Sequence, residues 1–403
     1  MRQDDARRWG KTFRRCEERH LRLLIDQINL PALCGRASSL RHGTPCKASL
    51  PSATESLRYL NVGGFNLHVD VDFDDGVTWL ARFRLLRVNR PSRERVNFDR
   101  LSEVATYQLL RTTTIPVPRV FDFASDDPDN EVGAGYILFE KIPGHPMNWS
   151  LATPEQKSHV FDQLIDIYLQ LEDLPMPAIG RPVFESQTKS GVAVGPAFFD
   201  YDAKGASVPC GPYSTTLDWY TALLNHRALL IDRGEFGTAA PHDALLANRH
   251  LYSCLRAGIV ENEFNFGPFF LRHVDTRDVN FLVDDSYTIT GILDWELAIF
   301  APKEYAFQSP LFMFDMGHVL SENRLSPDDE CFADRLETVG RHDLARLVRG
   351  GRKPFMFEMC MRTDPHTRPV FEEHLCVMQE ILGGELWKVR SWDAWKASIQ
   401  KTS

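Results

Sequence analysis

Three residues in the second half of the chain have the types and spacing that phosphoryl transfer requires. His273, Asp275 and Asn280 stand in the order H-x-D-x-x-x-x-N. A carboxylate at this position can accept the proton of a substrate hydroxyl, and an Asn five residues later can bind Mg²⁺. A later apolar run ends in Asp294, which would supply a second oxygen ligand. We therefore predict Asp275 as the catalytic base, and Asn280 and Asp294 as the ligands of Mg²⁺.

The surrounding residues predict how this site is positioned. Residues 281–285 and 286–293 have the pattern of a β-hairpin, which would bring Asn280 and Asp294 close together. His273 belongs to the predicted catalytic set either as a proton carrier or, as we favour, as a buried brace of the loop. Zinc is not expected, because no Cys or second His lies at ligand spacing around His273.

The composition indicates an ordinary globular protein of two domains or lobes. The chain has 403 residues, of which 43% are hydrophobic and 25% charged, and its formal net charge is −9. This charge argues against a nucleic-acid partner, and no apolar run is long enough for a membrane span. Eight cysteines without a C-x-x-C pair, together with an amino terminus that lacks a signal-like segment, favour the cytoplasm. The sequence does not indicate any protein partner.

Periodicity and turn residues divide the chain into three parts. We predict an N-terminal helical extension and loop over 1–56, a nucleotide-binding lobe over 57–142, and a helical lobe with the catalytic and metal-binding loops over 143–403. Within these parts, residues 1 to about 34 are predicted to be helical, with the region of Pro31 ending the helix, and residues 35–56 are predicted to form a loop. Strands are predicted over 57–62, 66–73, 77–86 and 136–140, helices over 98–111, 153–174, 217–231, 242–255 and 327–398, and irregular structure over 182–212.

The first lobe offers the parts of a nucleotide site. Gly63, Gly64 and Asn66 lie between two predicted strands, where backbone N–H groups can approach phosphate oxygens. Arg82, on the third strand, would be the phosphate-binding cation and Glu103, on the following helix, its partner. The alternative is a surface Arg and a surface Glu. Backbone groups near Glu140 and Ile142 would bind adenine at a hinge between the lobes.

Together these motifs resemble the aminoglycoside phosphotransferase and choline kinase-like family, in a divergent fungal-type branch. The resemblance covers roughly 50–310. It is carried by Gly63-Gly64-Phe65-Asn66, Trp79-Leu-Ala-Arg82, Ile115-Pro-Val-Pro118, His273-Val-Asp275 with Asn280, and Ile292-Leu-Asp294-Trp-Glu296. It implies an α+β, two-lobed protein-kinase-like fold, with an antiparallel sheet and one main helix in the small first lobe and a larger, mostly helical second lobe. It also implies ATP-dependent phosphorylation of a small-molecule hydroxyl with Mg²⁺.

Several alternatives stay open at this point. Arg82 replaces the usual Lys, so a catalytically weak or inactive kinase-like scaffold is a second interpretation. Asp278 can add charge near the metal or simply cap the loop. Trp219, Tyr220 and Trp295 can stack on a substrate or pack in the core. A peptide substrate is disfavoured, because no activation segment follows Asp294. An amino sugar, an amino alcohol and a specialised metabolite all remain candidate acceptors.

Overall fold

The computed structural model describes residues 19–50, 66–85, 91–185, 191–202, 206–237, 240–314, 324–350 and 352–363, together with 393 and 397. The chain divides into two compact units. The first unit comprises Met1–Gly144, Val183–Val192 and Thr290–Glu296. The second unit comprises His145–Pro182, Ala193–Ile289 and Leu297–Ser403.

The first unit is built on a five-stranded antiparallel sheet. Its strands, in the spatial order β1-β2-β3-β5-β4, are β1 (Cys46–Ala48), β2 (Asn66–Phe73), β3 (Thr78–Arg84), β4 (Val120–Ala124) and β5 (Tyr136–Glu140). The predicted bounds of β2 and β5 agree with the structure. The predicted strand over 57–62 lies outside the described residues.

A tight turn at Asp74-Asp75-Gly76 joins β2 to β3, between the strands predicted over 66–73 and 77–86. The Phe73 N–H donates to the Val77 carbonyl at 2.8 Å, and Gly76 has a φ of +85°. Glycine adopts this left-handed conformation without a Cβ clash. The turn sets the register of β2 and β3, in which Ala81 lies opposite Val69.

Alternation along β3 separates the core face from the polar face. Trp79, Ala81 and Phe83 are buried in the core of the first unit, whereas Arg82 and Arg84 belong to the opposite face. The main helix of this unit, α3 (Arg93–Leu110), begins five residues before the predicted start at 98. The Ser92 side chain caps it by accepting from the Arg95 N–H at 3.2 Å.

The N-terminal segment differs from its prediction. Residues 19–27 form helix α1, and a second helix, α2 (Leu30–Leu40), follows where Pro31 was expected to end the helical run. Asn29 caps α2 by accepting from the Ala32 N–H at 3.2 Å, and Pro31 stands in the first turn, where its missing N–H costs nothing. The predicted loop after 35 contains the end of α2 and strand β1, which pairs with β2.

The second unit is mostly helical. Its α-helices are α4 (Pro154–Glu172), α5 (Thr216–Asp232), α6 (Pro241–Cys254), α7 (Lys303–Ala306), α8 (Pro327–Thr338), α9 (His342–Gly350) and α10 (Arg352–Arg362). A capping box between Thr153 and Gln156 begins α4, and the predicted starts of α4 to α6 agree within one residue. Most of the helical structure predicted after 363 lies outside the described residues.

Short strands complete the structure. They are β6 (His145–Pro146), β7 (Pro182–Phe184), β8 (Val192–Val194), β9 (Phe198–Tyr201), β10 (Ser207–Cys210), β11 (Phe269–Arg272), β12 (Phe281–Val283), β13 (Ile289–Ile292) and β14 (Ile299–Pro302). The region 182–212, predicted as irregular, therefore contains four strands, which are too short to show a clear alternation. Antiparallel pairs join β9 to β10, β11 to β14, and β12 to β6.

The α+β fold class is confirmed, with an antiparallel sheet beside one main helix in the first unit and a mostly helical second unit. Among the residues described, no helix has the length and apolar character needed to cross a membrane.

Candidate active site

The predicted catalytic loop follows β11 directly in the second unit. The Asp275 N–H donates to Nδ1 of His273 at 3.1 Å, and the His273 side chain is buried. A ring nitrogen that accepts from the backbone two residues later fixes the turn of the loop. This contact supports the interpretation of His273 as a brace.

Asn280 is anchored on the same loop. Its side-chain Nδ2 donates to the backbone carbonyl of Asp275 at 2.9 Å. The nitrogen end of the amide is therefore committed to the loop, and the Oδ1 end is the one available to a cation. This orientation fits Mg²⁺, which prefers oxygen ligands.

Asp275 itself forms an ion pair that the sequence did not predict. Nε and one terminal nitrogen of Arg277 lie 2.6 and 2.5 Å from the two carboxylate oxygens. Burial raises the pKa of Asp275, but the hydrogen bonds and positive charge of Arg277 outweigh burial and hold that pKa below its usual value. The Arg277 side chain is 63% exposed, so it is not confined to this position by packing.

Two further contacts fasten the loop to its surroundings in the second unit. The Thr276 hydroxyl accepts from the Leu311 N–H at 2.8 Å, and the Thr276 carbonyl accepts from the Phe312 N–H at 3.2 Å. Asp278 accepts from the Trp149 N–H at 3.3 Å. This last contact favours the capping role of Asp278 over a role as extra charge near a metal.

In the first unit, Arg82 forms the ion pair with Glu103 that the sequence predicted. Both side chains are nearly buried, and Arg82 also lies 3.5 Å from the Asp294 carboxylate. Burial lowers the pKa of Arg82, but the nearby carboxylates, Glu103 above all, raise it further, so the guanidinium stays charged. Arg82 therefore supplies a fixed positive charge inside this unit.

Asp294 has an unusual backbone conformation. Its φ is +58°, in the left-handed region that non-glycine residues seldom adopt. The segment before it is anchored, since the Ile292 N–H donates to the Pro116 carbonyl at 2.7 Å and Trp295 Nε1 donates to the Ile292 carbonyl at 3.2 Å. Strained conformations of this kind often occur at functional sites, where the surrounding contacts hold them.

A cavity in the first unit is lined by polar residues, and only some of them were predicted from the sequence to bind nucleotide. Its lining includes Asn66, Arg82, Arg84, Arg100, Glu103 and Glu296. Arg84 pairs with Glu296, and Asn66 Nδ2 lies 3.5 Å from the same carboxylate. The sequence did contain an indication that Arg84 lies beside Arg82, because residues two apart on a strand share a face.

The remaining predicted nucleotide-binding residues have different outcomes. Gly63 and Gly64 lie outside the described residues. The Glu140 N–H donates to the Arg119 carbonyl at 2.8 Å, so this donor is committed within the sheet region. Ile142 is half-buried, and its side chain packs over Gly291. Adenine binding near Glu140 and Ile142 stays a prediction.

The three aromatic residues considered as stacking groups are core residues. Trp219, Tyr220 and Trp295 are all buried, and the Trp219 and Tyr220 rings stack with their centroids 4.9 Å apart. Core packing is therefore the interpretation that the structure favours.

The predicted Mg²⁺ ligands belong to different units, Asn280 to the second and Asp294 to the first. Within the described ranges, no group of three or more His, Cys, Asp or Glu side chains is arranged to hold a metal ion. Mg²⁺ commonly uses only one or two protein carboxylates or amides, with phosphate and water completing the shell. The pairing of Asn280 with Asp294 around Mg²⁺ therefore stays a prediction.

Comparisons with known proteins show similarity to a fungal protein, among others. The chain is 28% identical over 279 residues to the clavilactone A biosynthesis cluster protein Y of Ampulloclitocybe clavipes. This match covers 65% of each protein, so the chain spans less than two thirds of the length of that relative.

Two solved structures are similar at low identity. One is a thermostable mutant of aminoglycoside phosphotransferase APH(4)-Ia in complex with AMP-PNP and hygromycin B, with 14% identity, a TM-score of 0.47, and coverage of 81% of this chain and 94% of that one. The other is an ethanolamine kinase of Plasmodium vivax, with 12% identity, a TM-score of 0.46, and coverage of 89% and 82%.

The family model for the phosphotransferase enzyme family matches residues 74–305. This range is more than half of the chain, and it contains Arg82, Glu103, Asp275, Asn280 and Asp294. The predicted resemblance is confirmed, and the chain belongs to the phosphotransferase enzyme family.

Proposed function

We propose that the protein is an ATP-dependent phosphotransferase that phosphorylates a hydroxyl group of a small molecule. The observation that carries the proposal is the contact of Arg82 with both Glu103 and Asp294. A buried cation held by a helix carboxylate, next to the carboxylate predicted to bind a metal, is what a nucleotide triphosphate site requires. Family membership supports the same transfer chemistry.

Asp275 would orient the acceptor hydroxyl and accept its proton. The hydroxyl oxygen would then form a bond to the γ-phosphorus as the bond from that phosphorus to ADP breaks. The low pKa of Asp275 makes it a weak base, so orientation would contribute more than proton removal. Mg²⁺ bound at Asn280 and Asp294 would neutralise negative charge on the phosphates.

The direct test is ATP consumption by the purified protein with Mg²⁺ and a panel of acceptors. Amino alcohols, sugars and aminoglycosides follow from the resemblance to aminoglycoside phosphotransferases and choline kinases, and the similarity to a clavilactone biosynthesis cluster protein adds specialised metabolites. We expect Asp275→Ala to reduce turnover by roughly 10²- to 10⁴-fold. Asp285→Ala is the matched control, because Asp285 is a fully exposed turn residue of the same unit. Equal turnover in wild type and Asp275→Ala would refute the assignment of the base.

A catalytically weak or inactive nucleotide-binding protein is the second candidate. It is favoured by the Arg277 guanidinium, which occupies both oxygens of Asp275. A thermal-shift titration with ATP and Mg²⁺ separates the two candidates when combined with the turnover assay. Metal-dependent binding that is lost in Asp294→Ala, without turnover on any acceptor, would favour the second candidate.

A further inference from the structure

Two arginines stand side by side on the polar face of β3. The strand alternates between buried and partly exposed residues, so Arg82 and Arg84 project to the same side. Both line the same cavity of the first unit. A single phosphate-binding cation, Arg82, was predicted on this strand, and the structure places a second arginine beside it.

Each of these arginines faces a carboxylate on the segment after β13. Arg82 lies 3.5 Å from Asp294, and Arg84 pairs with Glu296. The two acids are two residues apart in sequence, as are the two arginines. The contacts therefore form two parallel ion pairs, which fix this segment in one register against β3.

The two guanidinium groups differ in how much they are enclosed. The Arg82 side chain is 10% exposed, contacts two carboxylates, and lies over the Phe139 ring with 5.2 Å between the guanidinium carbon and the ring centroid. The Arg84 side chain is 29% exposed, and Glu296 is its partner on the segment after β13. The Arg84 side chain is therefore less enclosed than the Arg82 side chain, although both line the cavity.

We propose that Arg84 is a second phosphate-binding residue, which Glu296 holds in position as Glu103 holds Arg82. The ligand class is a nucleoside triphosphate. A guanidinium can donate two parallel hydrogen bonds to phosphate oxygens. Two such groups on one strand would bind adjacent phosphates of the same nucleotide. This inference rests on the proposed function and adds to it a residue that positions the nucleotide.

Glu296 has a defined part in this arrangement. Its carboxylate contacts Arg84 and lies 3.5 Å from Asn66 Nδ2, so it orients the guanidinium and also reaches the start of β2. Glu296 is therefore a positioning residue. Replacing it leaves the charge of Arg84 in place but removes the group that orients it.

The experiment measures binding of AMP-PNP with Mg²⁺, and separately of adenosine, to the whole 403-residue chain by calorimetry. We expect Arg84→Gln to weaken AMP-PNP binding by about 10- to 100-fold, because charge-assisted hydrogen bonds are lost, and to leave adenosine binding unchanged. Glu296→Gln should weaken AMP-PNP binding less than Arg84→Gln does. Arg41→Gln is the matched control, since Arg41 pairs with Asp75 in the same unit and does not line the cavity.

Each outcome decides the inference. Wild-type binding of AMP-PNP supports the proposed function, and equal binding by Arg84→Gln and Arg41→Gln would then overturn only the role of Arg84. Equal weakening of AMP-PNP and adenosine binding would also overturn it, because the effect would not involve the phosphates. No binding by the wild type would overturn both. If Arg84→Gln fails to fold, Arg84→Lys carries the test, with a smaller loss expected because lysine lacks the planar fork.

Discussion

The Arg277 guanidinium binds both carboxylate oxygens of Asp275, at 2.6 and 2.5 Å. Each carboxylate oxygen can accept a second hydrogen bond, so an acceptor hydroxyl that donates to Asp275 would share an oxygen with Arg277 or replace it there. The arginine is well exposed, so it can move away without disturbing the core. In the proposed reaction, Arg277 would therefore lie beside the acceptor hydroxyl and favour the ionised form of the base.

Removing Arg277 should change the pH dependence of turnover. Arg277 holds the pKa of Asp275 below its usual value, so Arg277→Ala should raise that pKa. Activity that requires ionised Asp275 would then be lost at a higher pH on the acidic side. The measurement is kcat/KM against pH for wild type, Arg277→Ala and the control Arg346→Ala, which removes an exposed ion pair of the same unit. An acidic limb that does not move would contradict the role of this ion pair.

Two variants of Asp278 test whether this residue acts as a hydrogen-bond acceptor that anchors the catalytic loop or as a negative charge near the metal. If its role is to accept from the Trp149 N–H, Asp278→Asn keeps an acceptor oxygen and should retain most of the activity. Asp278→Ala should lower kcat by roughly tenfold, because the catalytic loop loses an anchor and Asp275 is less well placed. The measurement is kcat and KM for both variants. Equal losses in Asn and Ala would show that the charge, rather than the cap, is what matters.

Helix α2 should be part of the stable core of the first unit. Leu33 is 0% exposed, so Leu33→Ala should cost about 2–5 kcal/mol of unfolding free energy. Leu40 lies on the same helix but is 39% exposed, and Leu40→Ala should change stability by less than about 0.5 kcal/mol. Denaturant unfolding of the two variants gives the comparison. Similar small effects would mean that the N-terminal segment contributes little to this core.

Glu304 should make stability depend on pH in the second unit. Burial raises its pKa to about 7, against the opposing charge of Lys353. Between the ordinary value of 4.5 and about 7, the folded state keeps the proton that the unfolded chain has lost. The contribution of Glu304 to the free energy of unfolding is therefore fully present below pH 4.5 and is lost as the pH rises toward about 7.

The corresponding variant is Glu304→Gln, which cannot lose a proton. We expect its Tm to rise relative to the wild type as the pH increases from 5 to about 7.5, since the wild type alone loses stability there. Glu155→Gln, at an exposed position in the first turn of α4, serves as the control and should run parallel to the wild type. A constant Tm difference between Glu304→Gln and wild type across this range would refute the prediction.

Much of the fold and part of the site could be predicted from local patterns. The bounds of β2 follow from apolar alternation, those of β5 from a continuous apolar run, and both from the turn residues beside them. The pairing of Arg82 with Glu103 was also predicted, because a strand cation and a carboxylate on the next helix are complementary in kind and order. The start of α2 was missed because Pro31 was interpreted as a stop, whereas Asn29 before it makes it a start.

The sequence by itself determined which groups are available for chemistry: the carboxylates Asp275 and Asp294, the amide of Asn280, and the cation of Arg82. Only the tertiary structure decided how these groups are paired. Arg277 pairs with Asp275, and Arg84 pairs with Glu296, which lies 212 positions later in the sequence. Charge alone does not select among many possible partners. The register of β3 and the path of the chain after β13 place one acid against each arginine, and that choice depends on the whole first unit being folded.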